Sequence, residues 1–190
     1  MRELILGGQR SGKSRTAEAR AAQWLAQSPQ HEALLIATAQ PHDDEMRERI
    51  ARHRADRAAR LPRLATLEVA HDLASALRMQ VSPRRIVLVD CLTLWLTQLM
   101  LPVQGSALSA PARRQACDDM LAALRDARGP VVLVSNEIGL GVTPLGREAR
   151  AFVDELGRLH QAVAAHCERV TLMVAGVSLP LKTSMEVRDA

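Results

Sequence analysis

Leu4-Ile5-Leu6 is followed at once by Gly7-Gly8-Gln9-Arg10-Ser11-Gly12-Lys13-Ser14, and then by a stretch with helical periodicity. The pattern G-x-x-x-x-G-K-S between a strand and a helix constrains this chain more than any other feature. Glycines let such a loop fold back until successive main-chain N–H groups point inward at phosphate oxygens. A helix opening at Lys13 adds the positive end of its dipole. In this arrangement Lys13 bridges the β- and γ-phosphates and the Ser14 hydroxyl ligates Mg²⁺. The segment Gly7–Gly12 does not fit G-x-G-x-x-G, which favours a nucleoside triphosphate over a dinucleotide. A plain strand-to-helix turn, the alternative, has no need of the lysine. Only two lysines, Lys13 and Lys182, stand among the 25 basic residues of the chain.

Short aliphatic runs recur between longer helical patterns. Leu4–Leu6, Leu34–Ala37, Ile86–Val89, Val131–Val134 and Val170–Val174 read as strands covered on both faces. Helical spacing covers Lys13–Ala26, Asp43–Arg60, His71–Arg78, Leu92–Met100, Pro111–Arg128 and Arg147–His166. Strands alternating with helices predict βαβ units, a mostly parallel sheet and helices on both faces. The 190 residues suit one domain, placed at 1–182 with a loose tail at 183–190. A hydrophobic fraction of 47% can fill its core, although Tyr is absent and Phe occurs once. Pro102–Ala110 reads as a loop, and Gly129-Pro130 as a turn before a strand. Asp90 and Gln98 interrupt the apolar stretch Ile86–Val103, which argues against a membrane span. Cys91, Cys117 and Cys167 are too scattered for a zinc site or a disulfide framework, and reduced thiols predict a cytoplasmic protein.

The net charge of +4 comes with a basic side dominated by arginine, as codon bias would produce. Nucleic acid is not expected as a partner, because the aromatic side chains on which single-stranded bases stack are almost absent. Val87-Leu88-Val89-Asp90 reads as a Walker B strand, with Asp90 at its carboxyl end where it can hold Mg²⁺. In the helix over 43–60, Arg49, His53, Arg57 and Arg60 share one face. A solvated helix laced with ion pairs accounts for that charge. Alternatively, a histidine among guanidinium groups stays neutral and can attack phosphorus, which makes His53 a covalent nucleotidyl acceptor. Ser135, Asn136 and Glu137 follow a strand and project into the same crevice, where Asn136 either orients substrate or caps a turn.

These blocks, taken in order, resemble the bifunctional adenosylcobinamide kinase / adenosylcobinamide-phosphate guanylyltransferases of cobalamin biosynthesis. The resemblance rests on Gly7–Arg15, Ile36–Ala39, Asp43–Met46 through His53, Val89–Trp95, Val134–Gly141, Ala175-Gly176 and Leu179–Lys182. It implies a RecA-like P-loop domain that phosphorylates adenosylcobinamide with ATP or GTP. A second step then moves GMP from GTP to adenosylcobinamide phosphate and yields adenosylcobinamide-GDP. The resemblance also implies His53 as the guanylyl carrier and a homo-oligomer, a trimer. Nucleotide contacts carried over from the family fall on Gly7, Gly8, Gln9, Arg10, Ser11, Gly12, Lys13, Ser14, Ala37, Thr38, Ala39, Arg54, Ala55, Asp56, Arg57, Glu68 and Asp90. The chain departs from the family pattern in the longer, Trp-free segment Ala58–Ala65. Gln98 and His160 stand where Asn is common, and Leu145-Gly146 replaces Glu-Asn. Another small-molecule P-loop kinase, which leaves His53 idle, and a RecA-like ATPase acting on nucleic acid are the rival readings.

Overall fold

The computed structural model describes residues 1–40 and 44–183, without the side chains of Met46, Arg49 and His53. The order of elements is β1 (Arg2–Gly7), α1 (Lys13–Gln27), β2 (Glu32–Ala37), α2 (Asp44–Arg60), β3 (Leu64–Glu68), α3 (Leu73–Gln80) and β4 (Arg85–Asp90). Then come α4 (Leu92–Met100), α5 (Ala110–Arg125), β5 (Val131–Val134), α6 (Arg147–His166), β6 (Arg169–Val174) and β7 (Val177–Lys182). The tail expected at 183–190 lies outside the described residues from Ser184 onward, as does Asp43.

The strands form one sheet in the order β3-β2-β4-β5-β1-β6-β7. All neighbours run parallel except β7, which returns antiparallel to β6. Side chains alternate across each central strand, so one run of aliphatic residues builds two cores. Leu4, Leu34, Ile36, Val87, Val89, Val131 and Leu133 pack on one face with α3, α4, α5 and α6, whose contacts include Leu77, Trp95, Met120 and Leu159. Ile5, Leu35, Ile86, Leu88, Val132 and Val134 pack on the other face with Ala17, Ala21 and Leu25 of α1. Trp95, the only fully buried aromatic ring among the described residues, donates its indole N–H to the His71 carbonyl at 2.8 Å.

Sequence pattern misses β3 and β7. Both lie at the rims of the sheet and bury little, so neither shows a continuous apolar run. Pro180 within β7 is tolerated because the outer edge of that strand pairs with no other strand among the described residues. Lys182, at the end of β7, donates to the Ala164 carbonyl in the last turn of α6 at 2.9 Å. Among the described residues, no helix is long and apolar enough to cross a membrane.

One buried charge ties three elements together. Glu3 in β1 is fully buried and accepts from Arg20 of α1 at 2.8 and 3.1 Å, and from the Thr171 hydroxyl of β6 at 2.9 Å. The bidentate contact raises the Arg20 pKa against the opposing effect of burial. Removing the guanidinium would leave a carboxylate with no counter-charge in the core. Arg20→Ala is therefore expected to lower stability by about 3–5 kcal/mol. A denaturant titration should show the midpoint fall, and Glu3→Gln combined with Arg20→Met should recover much of the loss.

Candidate functional site

Connections leaving neighbouring strands for opposite faces open a crevice at their carboxyl ends. That condition holds between β1, which leads into α1, and β5, which leads into α6, since the two helices belong to different cores. The Gly7–Ser14 loop sits at this point. Gly7 has φ 153°, and a Cβ there would meet the Met173 carbonyl oxygen at 2.4 Å and the Ser11 hydroxyl at 2.6 Å. Gly12 lies in the left-handed region at φ 101° and Arg10 shares that conformation at φ 55°. Helix α1 begins at Lys13 with no side-chain cap and no acidic residue in its first turn, so its leading N–H groups are left to other acceptors. The Lys13 side chain is buried, and its ammonium donates to the Gly8 carbonyl at 2.7 Å across the loop. The Ser11 hydroxyl is the buried side-chain polar atom without a partner among the described residues. A loop with spare donors and a lysine folded over it is built to receive an oxyanion.

Beside it, β4 ends at Asp90, whose placement depends on Thr38. The Thr38 hydroxyl donates to the Cys91 carbonyl at 2.7 Å and accepts from the Cys91 N–H at 2.8 Å, while the Thr38 N–H reaches the Asp90 carbonyl at 3.1 Å. Ala37, paired with Asp90 in the β2–β4 register, and Thr38 thus brace the acidic strand end from the side of β2. Burial, aided by the nearby Asp90 charge, pushes the Cys91 thiol up to about 12, so it stays protonated. Ser14 and Asp90 offer hard oxygen donors of the kind Mg²⁺ prefers. Among the described residues no group of three or more His, Cys, Asp or Glu could hold a metal.

The far wall is held by a buried polar network invisible to local sequence pattern. Ser135, fully buried just past β5, shares a hydrogen bond with Thr93 of α4 at 2.9 Å and with His160 Nε2 of α6 at 2.7 Å. Thr93 accepts from the Asn136 N–H at 2.8 Å. His160 Nδ1 faces the Glu137 carboxylate at 3.7 Å, and the Glu137 carboxylate accepts from the Gly139 N–H at 2.6 Å. Backbone bonds carry this wall to the glycine loop: Ser135 N–H to the Ile5 carbonyl and Glu137 N–H to the Gly7 carbonyl, both at 3.0 Å. Desolvation holds the His160 pKa below its ordinary value, against the pull of Glu137.

Helix α2 meets the end of β3. Arg54 forms an ion pair with Glu68 at the end of β3, so two expected nucleotide contacts meet each other. Arg60 binds Glu18 of α1 at 2.8 Å. Ala55 and Asp56 are exposed and Arg57 is half-buried. His53 falls within α2, but its side chain, like that of Arg49, lies outside the described residues.

The fold and the loop together define a class: a largely parallel α/β sheet, helices on both faces, with a glycine loop at the carboxyl-end crevice. A solved structure shares that fold, flagellar accessory protein FlaH from Methanocaldococcus jannaschii. Its TM-score is 0.52 at 10% identity, and the match covers 97% of this chain and 79% of that one. Residues 3–181 match the family described as cobinamide kinase / cobinamide phosphate guanyltransferase. The bifunctional adenosylcobalamin biosynthesis protein CobP of Pseudomonas aeruginosa is 52% identical over 183 residues, covering 96% of this chain and 98% of that protein. The corresponding CobU proteins of Salmonella typhimurium and Escherichia coli are each 36% identical over 187 residues, covering 94% of this chain and 98% of their own. This chain belongs to the cobinamide kinase / cobinamide phosphate guanyltransferase family.

The network around His160 makes stability depend on pH with a definite sign. A histidine whose folded pKa is depressed binds its proton more readily in the unfolded chain. Its contribution is intact above the unfolded value of about 6.5 and is lost as pH falls from there to the folded pKa. Denaturant midpoints recorded between pH 7.5 and pH 5 are expected to decline in the natural protein. His160→Asn, which keeps a polar partner for Ser135 but cannot titrate, should flatten that part of the curve.

Proposed function

We propose that this chain is a bifunctional enzyme on a RecA-like P-loop domain, spanning residues 1–182, that acts twice on one corrinoid. In the first step the γ-phosphate of ATP or GTP passes to the hydroxyl of the aminopropanol arm of adenosylcobinamide. In the second, GMP from GTP is placed on the resulting phosphate, giving adenosylcobinamide-GDP and pyrophosphate. The observation that carries the reading is the Gly7–Ser14 loop at the β1/β5 crevice, with a buried lysine and an unpartnered serine, in a chain of this family.

The residues divide the work. Main-chain N–H groups of Gly8–Ser14 and the Lys13 ammonium hold the phosphates and take up charge as the bond to the transferred group loosens. Lys13 exchanges its Gly8 carbonyl partner for phosphate oxygen when the nucleotide arrives. Ser14 and Asp90 would hold Mg²⁺, which when bound neutralises charge between the β- and γ-phosphates. Ala37, Thr38 and Ala39 wall the crevice beside Asp90. In this reading Arg54, Arg57 and Glu68 contact the nucleotide, Arg54 and Glu68 leaving their mutual ion pair to do so.

GMP transfer needs a different phosphorus atom, and His53 supplies the nucleophile. A neutral imidazole nitrogen attacks the α-phosphorus of GTP, the bond to the β-phosphate oxygen breaks, and pyrophosphate leaves. An oxygen of adenosylcobinamide phosphate then attacks the same phosphorus, and the N–P bond breaks. Helix α2 brings His53 to the nucleotide by moving as a unit. This is physically inexpensive, because none of its described side chains belongs to the buried core and its contacts to α1 and β3 are ion pairs. Self-association into a trimer, in the cytoplasm, belongs to the same reading.

Two substitutions separate the steps. Lys13→Ala is expected to reduce both activities by about 10²- to 10³-fold. His53→Ala should retain kinase turnover with adenosylcobinamide and lose GMP transfer. Incubation with labelled GTP should leave an acid-labile GMP adduct on the natural protein and none on His53→Ala. Persistence of the adduct in that variant would refute the assignment.

A further inference from the structure

The Gly7–Ser14 loop is bracketed by two segments that share an unusual chemistry. On one side the chain runs past β5 alongside β1, bonded through Glu137 N–H to the Gly7 carbonyl at 3.0 Å, and leaves the sheet at Ile138. On the other side the turn between β6 and β7 leans on the loop, with Gly176 N–H donating to the Ser11 carbonyl at 3.0 Å. Residues 138–146 contain no Asp, Glu, Lys or Arg, and neither do residues 170–181, in a chain that is 24% charged. Val170 and Met173 of the second run are buried in β6, but other aliphatic side chains of both runs turn outward. Leu140 is 82% exposed, Val142 97%, Leu145 96% and Val177 69%. Single exposed aliphatic residues are ordinary, but two uncharged groups of them joined by backbone bonds to one binding loop call for a ligand.

Phosphates do not account for these walls, since anions are matched by guanidinium, ammonium and N–H groups. The acceptor does. Its hydroxyl, and afterwards its phosphate, must come within bonding distance of phosphorus held at the glycine loop. The rest of the acceptor then has to rest on the segments nearest that loop. A corrin is a broad, flat macrocycle rimmed by methyl groups and neutral amides, which suits aliphatic, uncharged surfaces better than arginine-rich ones.

We propose that residues 138–145 and the β6–β7 turn are two lips that seat the macrocycle of the corrinoid acceptor, with Leu140, Val142 and Val177 as its principal apolar contacts. The assignment rests on the corrinoid reading above and adds where the acceptor binds. The lips receive the ring, the loop between them receives the nucleotide phosphates, and the aminopropanol arm joins the two.

Leu140→Asp with Val142→Asp, and Val177→Asp separately, test this at exposed positions where the core is not disturbed. Equilibrium dialysis against cobinamide, read by its visible absorbance, should show the dissociation constant rise by about tenfold or more in both variants. The KM for adenosylcobinamide should rise in parallel. The yield of GMP adduct from GTP alone and the mass in sedimentation should not change. Unaltered cobinamide binding in both variants overturns the proposal. A fall in mass that accompanies the loss of binding also overturns it and assigns the lips to contact between copies of the chain. Failure of the bifunctional reading looks different: the natural protein then forms no GMP adduct, while cobinamide binding still responds to the lip substitutions.

Discussion

The site depends on β1 being buried on both faces. Leu4 and Leu6 belong to one core and Ile5 to the other, so the strand can only run through the middle of the sheet with helices above and below. Once β1 is central, the chain must leave it toward one face while β5 beside it leaves toward the opposite face. The crevice follows from that divergence, and the glycine loop falls into it without further instruction. Glu3, two residues into the strand, is held by Arg20 and Thr171 and so fastens β1 to α1 and β6 at the opposite end from the loop. Rigidity at that end leaves the loop end free to be shaped by glycines at Gly7 and Gly12, where the backbone takes conformations that other residues rarely adopt.

Much of this was legible from the chain because the signals are local. Continuous aliphatic runs mark β1, β2, β4, β5 and β6, and 3.6-residue periodicity locates the six helices to within a few residues at each end. The loop and Asp90 could be placed from spacing alone. What could not be read is long-range or half-exposed. Leu64–Glu68 and Val177–Lys182 are rim strands whose exposure erases the apolar run. The clasp of Thr38 on Cys91 joins residues 53 apart, and Ser135 reaches His160 25 residues away. No hydroxyl in a sequence announces a partner so distant. The one hint was that Thr38, Thr93 and Ser135 each stand just past or beside the carboxyl end of a strand, where a buried hydroxyl must find an acceptor or be expensive.

Two chemistries on one crevice require that the protein hold the nucleotide firmly yet present different phosphorus atoms to different groups. The structure separates these demands by kind of interaction. Everything around Gly7–Ser14, Asp90 and Ser135 is braced by main-chain bonds and buried hydroxyls, which do not yield cheaply. Helix α2 is attached by Arg54–Glu68 and Arg60–Glu18, pairs that water can replace at little cost. A helix bound through core leucines could not change its position without exposing apolar area at roughly 25 cal/mol per Å². A helix bound through arginines can, and in the proposed mechanism the guanidinium groups it releases become available to phosphate.

The distribution of charge along the chain takes on a meaning that its average conceals. Arginine crowds α2, where a polyanion has to be approached, and is absent from 138–146 and 170–181, where the Gly7 loop is flanked. A uniformly basic rim would attract nucleotide to both sides of the loop and leave no preferred orientation for the acceptor. With arginine concentrated on α2 and exposed aliphatic side chains on the two flanking segments, each substrate would gain little in the other's proposed place: phosphate gains nothing from leucine, and a methyl-bearing ring gains little from arginine. Segregation of this kind would order two substrates around one loop.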